Sequence, residues 1–118
     1  CLATARFSVD AAYFDKVVAT MVFYHLAPPE KLGLARELFR VLRRGGTLHM
    51  AEMDKPETER EGYFLKVAGS VVPAESLGPH LDGTWVHTLS KAGFVGIRRL
   101  SSHSLTTARV LVLRARRQ

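Results

Sequence analysis

Residues 14–54 read FDKVVATMVFYHLAPPEKLGLARELFRVLRRGGTLHMAEMD, and the fold follows from how this stretch divides. KVVATMV at 16–22 is nearly continuous apolar, β-branched sequence, as expected of a strand buried on both faces in a parallel sheet. Ala27, Pro28 and Pro29 break the run, and Pro29 suits the first turn of a helix, where a missing N–H goes unused. Leu32, Ala35, Leu38, Phe39 and Leu42 then recur at three- and four-residue spacing, which predicts one apolar stripe with Lys31, Arg36, Arg40 and Arg43 on the other side. Arg43 and Arg44 suit the negative end of the helix dipole, and Gly45 and Gly46 read as its left-handed stop. TLHMAE at 47–52 is a second strand. Strand, helix and strand form a βαβ unit, so the two strands run parallel through a right-handed crossover.

Downstream, Asp54, Lys55 and Pro56 end the second strand, and Glu57, Glu59 and Glu61 read as the opening of a second helix with the stripe Phe64, Val67, Ala68 and Val71. Residues 73–79, with two prolines and a glycine, read as a loop. Asp82 reads as the N-cap of a third helix, with Val86, Leu89 and Ala92 facing inward and Gly93 stopping it. A third strand is expected at 94–100, a turn at 101–104 and a fourth strand at 105–113. The uninterrupted apolar run 110–113 marks the fourth strand as internal, whereas Arg98 and Arg99 suit an edge. The spatial order is therefore first, second, fourth, third. That leaves the apolar first strand at the opposite edge, so a partner is expected there: a strand from a preceding segment, or a second copy of the chain.

Composition agrees. The chain has 118 residues, 47% hydrophobic and 24% charged, which suits one globular domain and excludes disordered or collagen-like classes. No apolar run approaches the roughly 20 residues of a membrane helix, and no basic-then-apolar leader is visible. Cys1 is the only cysteine, so an internal disulfide and a cysteine zinc site are excluded, and a cytoplasmic location is expected. Because the sequence begins on Cys1 rather than Met, it reads as a fragment or a product whose start lies upstream. The net charge of +6 is uneven: from Gly83 onward there are seven cations and no acid. No aromatic residues interleave with these cations as a base-stacking surface requires, so nucleic acid is not the expected partner.

The segment 14–54 resembles the middle of a class I S-adenosylmethionine-dependent methyltransferase. The resemblance rests on Phe14-Asp15, His25-Leu26, Arg40-Val41-Leu42, Gly45-Gly46 and an acid, Glu52 or Asp54, at the strand end. Ser90-Lys91-Ala92-Gly93-Phe94 is similar to the family's approach to its sixth strand, and the final hairpin to its antiparallel end. The resemblance covers nearly the whole chain but only the C-terminal half of the family fold. It implies an α/β, three-layer, Rossmann-like architecture: a mixed sheet with two parallel βαβ-linked strands and a C-terminal antiparallel hairpin. Residues 1–118 would then be a partial methyltransferase domain, with S-adenosylmethionine as cofactor and a small molecule as methyl acceptor. The family's glycine-rich turn and ribose-binding acid have no counterpart in this sequence. Its third-strand contact falls near Ala3 and Thr4, with Ala3 standing where an acid would hold the adenine and the Thr4 N–H left to meet the ring. The alternative is a non-catalytic, truncated module that dimerises or pairs with a separate half through its exposed strand.

In open α/β sheets ligands lie beyond the carboxyl ends of the strands. Ala19, Thr20 and Met21 stand there, and the resemblance implies that they flank the methionine part of the cofactor. His25 is the candidate catalytic base, its ordinary pKa near ~6.5 suiting proton transfer; it also reads as a cap or packing group at the entry of the next helix. Tyr63, Phe64 and Trp85 are candidate walls of an acceptor pocket, and core residues on the alternative reading. His49 reads as a buried, hydrogen-bonded core residue; Glu52 and Asp54 as loop or capping groups; His80, His87 and His103 as surface histidines. No metal-ligand spacing is present.

Overall fold

The structure is a computed structural model, and it describes residues 8–118. Four strands, β1 (Phe14–Thr20), β2 (Leu42–Met53), β3 (Val95–Ser104) and β4 (Arg109–Arg116), form one sheet in the order β1-β2-β4-β3. β1 runs parallel to β2, and β4 is antiparallel to both β2 and β3. The βαβ unit, the mixed α/β sheet and the strand order expected from the sequence are therefore present. Helix α1 (Pro28–Val41) makes the crossover; α2 (Tyr63–Ala68), α3 (Ala74–Leu81), a 3-10 turn (Thr84–Val86) and α4 (His87–Ala92) follow β2.

The side chains alternate across the sheet. Leu48 and Met50 of β2 and Leu111, Leu113 and Ala115 of β4 pack with Ala35 and Leu38 of α1, Leu89 of α4, Phe23 and Trp85. On the other face, Met53 and Val110 pack with Leu65 of α2, Leu77 of α3 and Ala108. That second cluster sits only at the carboxyl end of β2. No helix is long and apolar enough to cross a membrane among the described residues.

Several expectations are corrected. β1 lies two residues earlier than the apolar run suggested, because Met21 turns the backbone to φ 54°. Gly45 and Gly46 do not stop α1: it ends at Val41 and passes straight into β2 through an extended Leu42. The pair lies instead at the irregularity where Phe14 faces Leu42 and Lys16 already faces Thr47. A Cβ on Gly46 would come within 2.8 Å of the Arg43 carbonyl and 2.9 Å of that of Asp15, so close strand approach is what requires glycine there. Residues 73–79 are largely helical: Pro73 precedes α3, and Pro79 lies inside it. Ser101 to Ser104, expected to turn, extend β3; the turn falls at 105–108, closed by Leu105 N–H donating to Ala108 O at 2.7 Å. Phe64, Val67 and Val71 are mostly exposed, and the buried residue of α2 is Leu65. Gly93 does end α4, at φ 113°, a conformation that favours glycine.

Candidate functional site

The carboxyl ends of β1 and β2 meet the 21–27 loop, and this end of the sheet holds most of the buried polar groups. Glu52 is completely buried, and its carboxylate accepts Phe23 N–H at 2.7 Å and Met53 N–H at 3.1 Å. Burial raises its pKa to about 7 against those two bonds and the attraction of Lys31. It braces the loop rather than facing a substrate. Lys31, placed on the solvent side of α1 from its charge, is only 1% exposed. Its Nζ donates to the Leu26 carbonyl and, at 2.6 Å, to that of Ser76, tying the loop to α3. Burial lowers its pKa to about 8. The signal was available in spacing: Lys31 precedes Ala35 by four residues and Leu38 by seven, in phase with the buried stripe.

Behind this brace stand His80 and Trp85, both fully buried and stacked at 5.7 Å. His80 is thus not a surface histidine. Its Nδ1 lies 2.8 Å from the Met53 carbonyl, its Nε2 has no hydrogen-bond partner among the described residues, and burial depresses its pKa to about 4. Trp85 is no pocket wall: it packs edge-on against Phe23 at 6.2 Å, and its Nε1–H donates to Asp54 Oδ1 at 3.1 Å. His49 is half-buried, on the sheet face away from α1. His87 and His103 are exposed.

Two recesses flank Met21. An apolar cleft of about 480 Å³ runs along β1 and α1, with Val17, Val18, Thr20, Leu34 and Leu38 on its walls. A second, of about 300 Å³, is lined by Met21, Tyr24, Met53, Phe64, Leu105, Thr107 and Ala108. Met21 has the left-handed φ that costs a branched or long side chain about 1–2 kcal/mol. Its N–H donates to the Ala51 carbonyl at 2.8 Å, fixing that turn against β2. Tyr24 and Phe64 face each other edge to face at 5.7 Å. Phe64 N–H donates to the Thr107 carbonyl at 3.0 Å, joining α2 to the hairpin turn.

An ion pair holds that joint. Arg109 meets both Glu61 oxygens, at 2.8 and 2.9 Å, and Ser104 donates to the same carboxylate. The Arg109 bonds hold the Glu61 pKa at about 2, so this residue clasps the hairpin instead of capping α2. Other cations of the C-terminal third also have internal partners. Arg99 approaches Asp54 at 3.5 Å, and Arg117 donates to the Phe39, Arg40 and Leu42 carbonyls while lying 4.6 Å from the Phe39 ring centre.

Thus, of the residues singled out from sequence, Met21 and Phe64 share a pocket, and Ala19 and Thr20 line the neighbouring cleft, Ala19 also packing into the core. His25 is exposed, is not among the pocket's lining residues, and meets the Tyr24 ring edge-on at 5.2 Å. The α1 cap is made by Ala27 N–H donating to Glu30. Tyr63 is exposed. Ala3 and Thr4 lie outside the described residues. Among the described residues, no cluster of three or more His, Cys, Asp or Glu is arranged for a metal ion.

Residues 2–50 match the family model described as a methyltransferase domain. No curated protein matches the chain. Among solved structures, it superposes on phosphoethanolamine N-methyltransferase 2 of Haemonchus contortus with TM-score 0.65 and 11% identity, covering 94% of this chain and 35% of that one. That enzyme was solved with phosphomonomethylethanolamine and S-adenosylhomocysteine. An S-adenosylmethionine-dependent methyltransferase of Methanosarcina mazei gives TM-score 0.64 and 18% identity, over 98% of this chain and 64% of that one. The [4+2]-cyclase SpnF gives 0.60 and 16%, over 98% and 54%. The chain spans about two fifths or less of the first two solved structures it matches. It carries part of the class I methyltransferase fold, as the sequence resemblance implied, and the cyclase shows that this fold also serves other chemistry.

Proposed function

We propose that the chain is a partial domain of a methyltransferase that passes a methyl group from S-adenosylmethionine to a small-molecule acceptor. The observation that carries this reading is Met21: a strained residue at the end of a parallel strand, anchored to β2 and lining the apolar pocket beside Thr20. The residues suit the methionine end of the cofactor, where Ala19 to Met21 present backbone and one hydroxyl. Among the described residues, those lining the cleft along β1 include no acid. When bound, S-adenosylmethionine would supply an electrophilic methyl group for in-line transfer to the acceptor's lone pair.

The chain's own part is orientation and dryness. Tyr24 and Phe64 hold the acceptor between aromatic walls, and Met21 and Met53 keep water from the reacting atoms. His25, next to Tyr24, takes the acceptor's proton onto a ring nitrogen. Thr4, outside the described residues, would be the candidate for a backbone contact to the adenine ring.

Methyl-labelled methionine tests this, because the three methionines report separately. S-adenosylhomocysteine is expected to shift the Met21 signal, leave the sealed Met50 unmoved, and bind weakly, with a dissociation constant above about 100 μM. No Met21 shift at about 10 mM, or submicromolar binding by this chain alone, would overturn the reading. A second reading is favoured by Val18, which is 75% exposed on the outermost strand beside the apolar cleft: a module that pairs there with a second copy or a separate half. A sedimenting species that stays monomeric at about 1 mM argues against self-pairing.

A further inference from the structure

We propose that the pocket formed by Met21, Tyr24, Met53, Phe64, Leu105 and Thr107 selects an uncharged acceptor built on a single aromatic ring, and rejects the same ring bearing a formal charge. The inference rests on the acceptor reading above and narrows it to a substrate class.

Size is the first argument. About 300 Å³ lies at the lower end of small-molecule sites and fits one substituted ring better than a fused system. Shape is the second. Tyr24 and Phe64 stand at 71° to one another, so a flat ring can lie on one face and meet the other edge-on. The thioethers of Met21 and Met53 make favourable contacts at ring edges.

Charge is the third argument and the most discriminating. None of the described residues lining the pocket carries a formal charge at neutral pH, and the hydroxyls among them belong to Tyr24 and Thr107. Charged side chains on the adjoining segments have partners elsewhere: Glu61 and Arg109 with each other, and Asp54 with Trp85 and Arg99. A carboxylate or ammonium entering the pocket would lose its hydration and meet no counter-charge, whereas a neutral hydroxyl needs only one hydrogen bond. The walls have little freedom to adapt. The Phe64–Thr107 backbone bond and the Glu61–Arg109 pair lock α2 to the turn, and the Leu105–Ala108 bond closes it.

Three para-substituted phenols, one neutral, one anionic and one cationic, provide the test: p-cresol, 4-hydroxybenzoate and tyramine, titrated into the chain with labelled methionine methyls. p-Cresol is expected to shift Met21 and Met53 but not Met50, which packs on the opposite face of the sheet. The two charged rings are expected to bind at least about tenfold more weakly. Leu105→Asp places a charge at the half-exposed rim and is expected to weaken p-cresol by about tenfold. If either charged ring binds as tightly as p-cresol, or if about 10 mM p-cresol leaves Met21 and Met53 unmoved, the proposal is wrong. Should Leu105→Asp fail to fold, the series on the natural chain decides alone. No donor is present in these titrations. Failure here with an intact S-adenosylhomocysteine response removes the substrate class only, and the reverse pattern removes the methyl-donor reading.

Discussion

Leu48 and His49 are neighbours on β2, yet the first is wholly buried and the second only partly so. The same contrast runs across the sheet. Under α1 and α4, one face is sealed along its length by Leu48, Met50, Leu111, Leu113 and Ala115. The other face is covered only where α2 and α3 meet Met53 and Val110, and it leaves Lys16 and Val18 exposed. The sheet is therefore enclosed on both sides at one end, beyond the carboxyl ends of β1 and β2. There the chain buries Glu52, Lys31 and His80, groups that cost stability wherever they lack partners. The uniform face holds the fold together, and the half-covered face holds the candidate pocket.

The largest test of that contrast pairs the two neighbours. Leu48→Ala should lower unfolding free energy by about 3 kcal/mol, as a cavity in a sealed core does. His49→Ala should change it by less than about 0.5 kcal/mol. Similar losses in urea titrations would mean that both faces are packed alike.

Arg109→Ala comes next. It removes both bonds to the Glu61 carboxylate beneath the hairpin turn and should lower the urea midpoint, by less than Leu48→Ala does. It should also weaken p-cresol, since α2 and the turn lose their clasp. A destabilised variant that binds p-cresol unchanged would show that the pocket does not depend on the clasp.

The smallest effect is a slope. Burial holds His80 near pKa 4, so the unfolded chain takes up a proton from about pH 6.5 downward that the folded chain refuses, and stability falls as pH drops from 6.5 to 4. Burial lifts Glu52 to about 7, so the folded chain keeps a proton that the unfolded one releases above about pH 4.5, and stability falls as pH rises from 4.5 to 7. The two slopes oppose one another, and the natural chain should melt at nearly constant temperature between pH 4.5 and 6.5. Glu52→Gln leaves the His80 slope alone, so stability should then rise with pH across that window by roughly 2 kcal/mol. A flat or falling profile in the variant would contradict the sign.

What could be read from the sequence follows the same division. The βαβ unit and strand order were legible because the runs at 17–19 and 110–113 are apolar without interruption, and long-range packing agrees with local pattern there. Gly93 was legible because its role is local. Residues 73–79 were not: two prolines read as loop, yet Leu77 enters the core and the Ser76 carbonyl receives Lys31, so tertiary contacts hold a helix that propensity disfavours. Ser101 to Ser104 read as turn because an outermost strand meets water and needs no apolar face. At the candidate site, position after the first strand points to Ala19, Thr20 and Met21, and Tyr63, Phe64 and Trp85 read as walls, of which Phe64 lines the pocket with Met21. The Met21 backbone strain, the burial of Lys31 and His80, and the withdrawal of Trp85 into the core depend on partners far along the chain.

Hydrogen exchange with and without S-adenosylhomocysteine at about 10 mM tests most directly whether the enclosed end of the sheet is the ligand end. Slowing should be confined to amides of residues 19–25 and 51–54. Slowing centred on the β3–β4 arm instead, with residues 19–25 unaffected, would place the ligand elsewhere and remove the basis for methyl transfer.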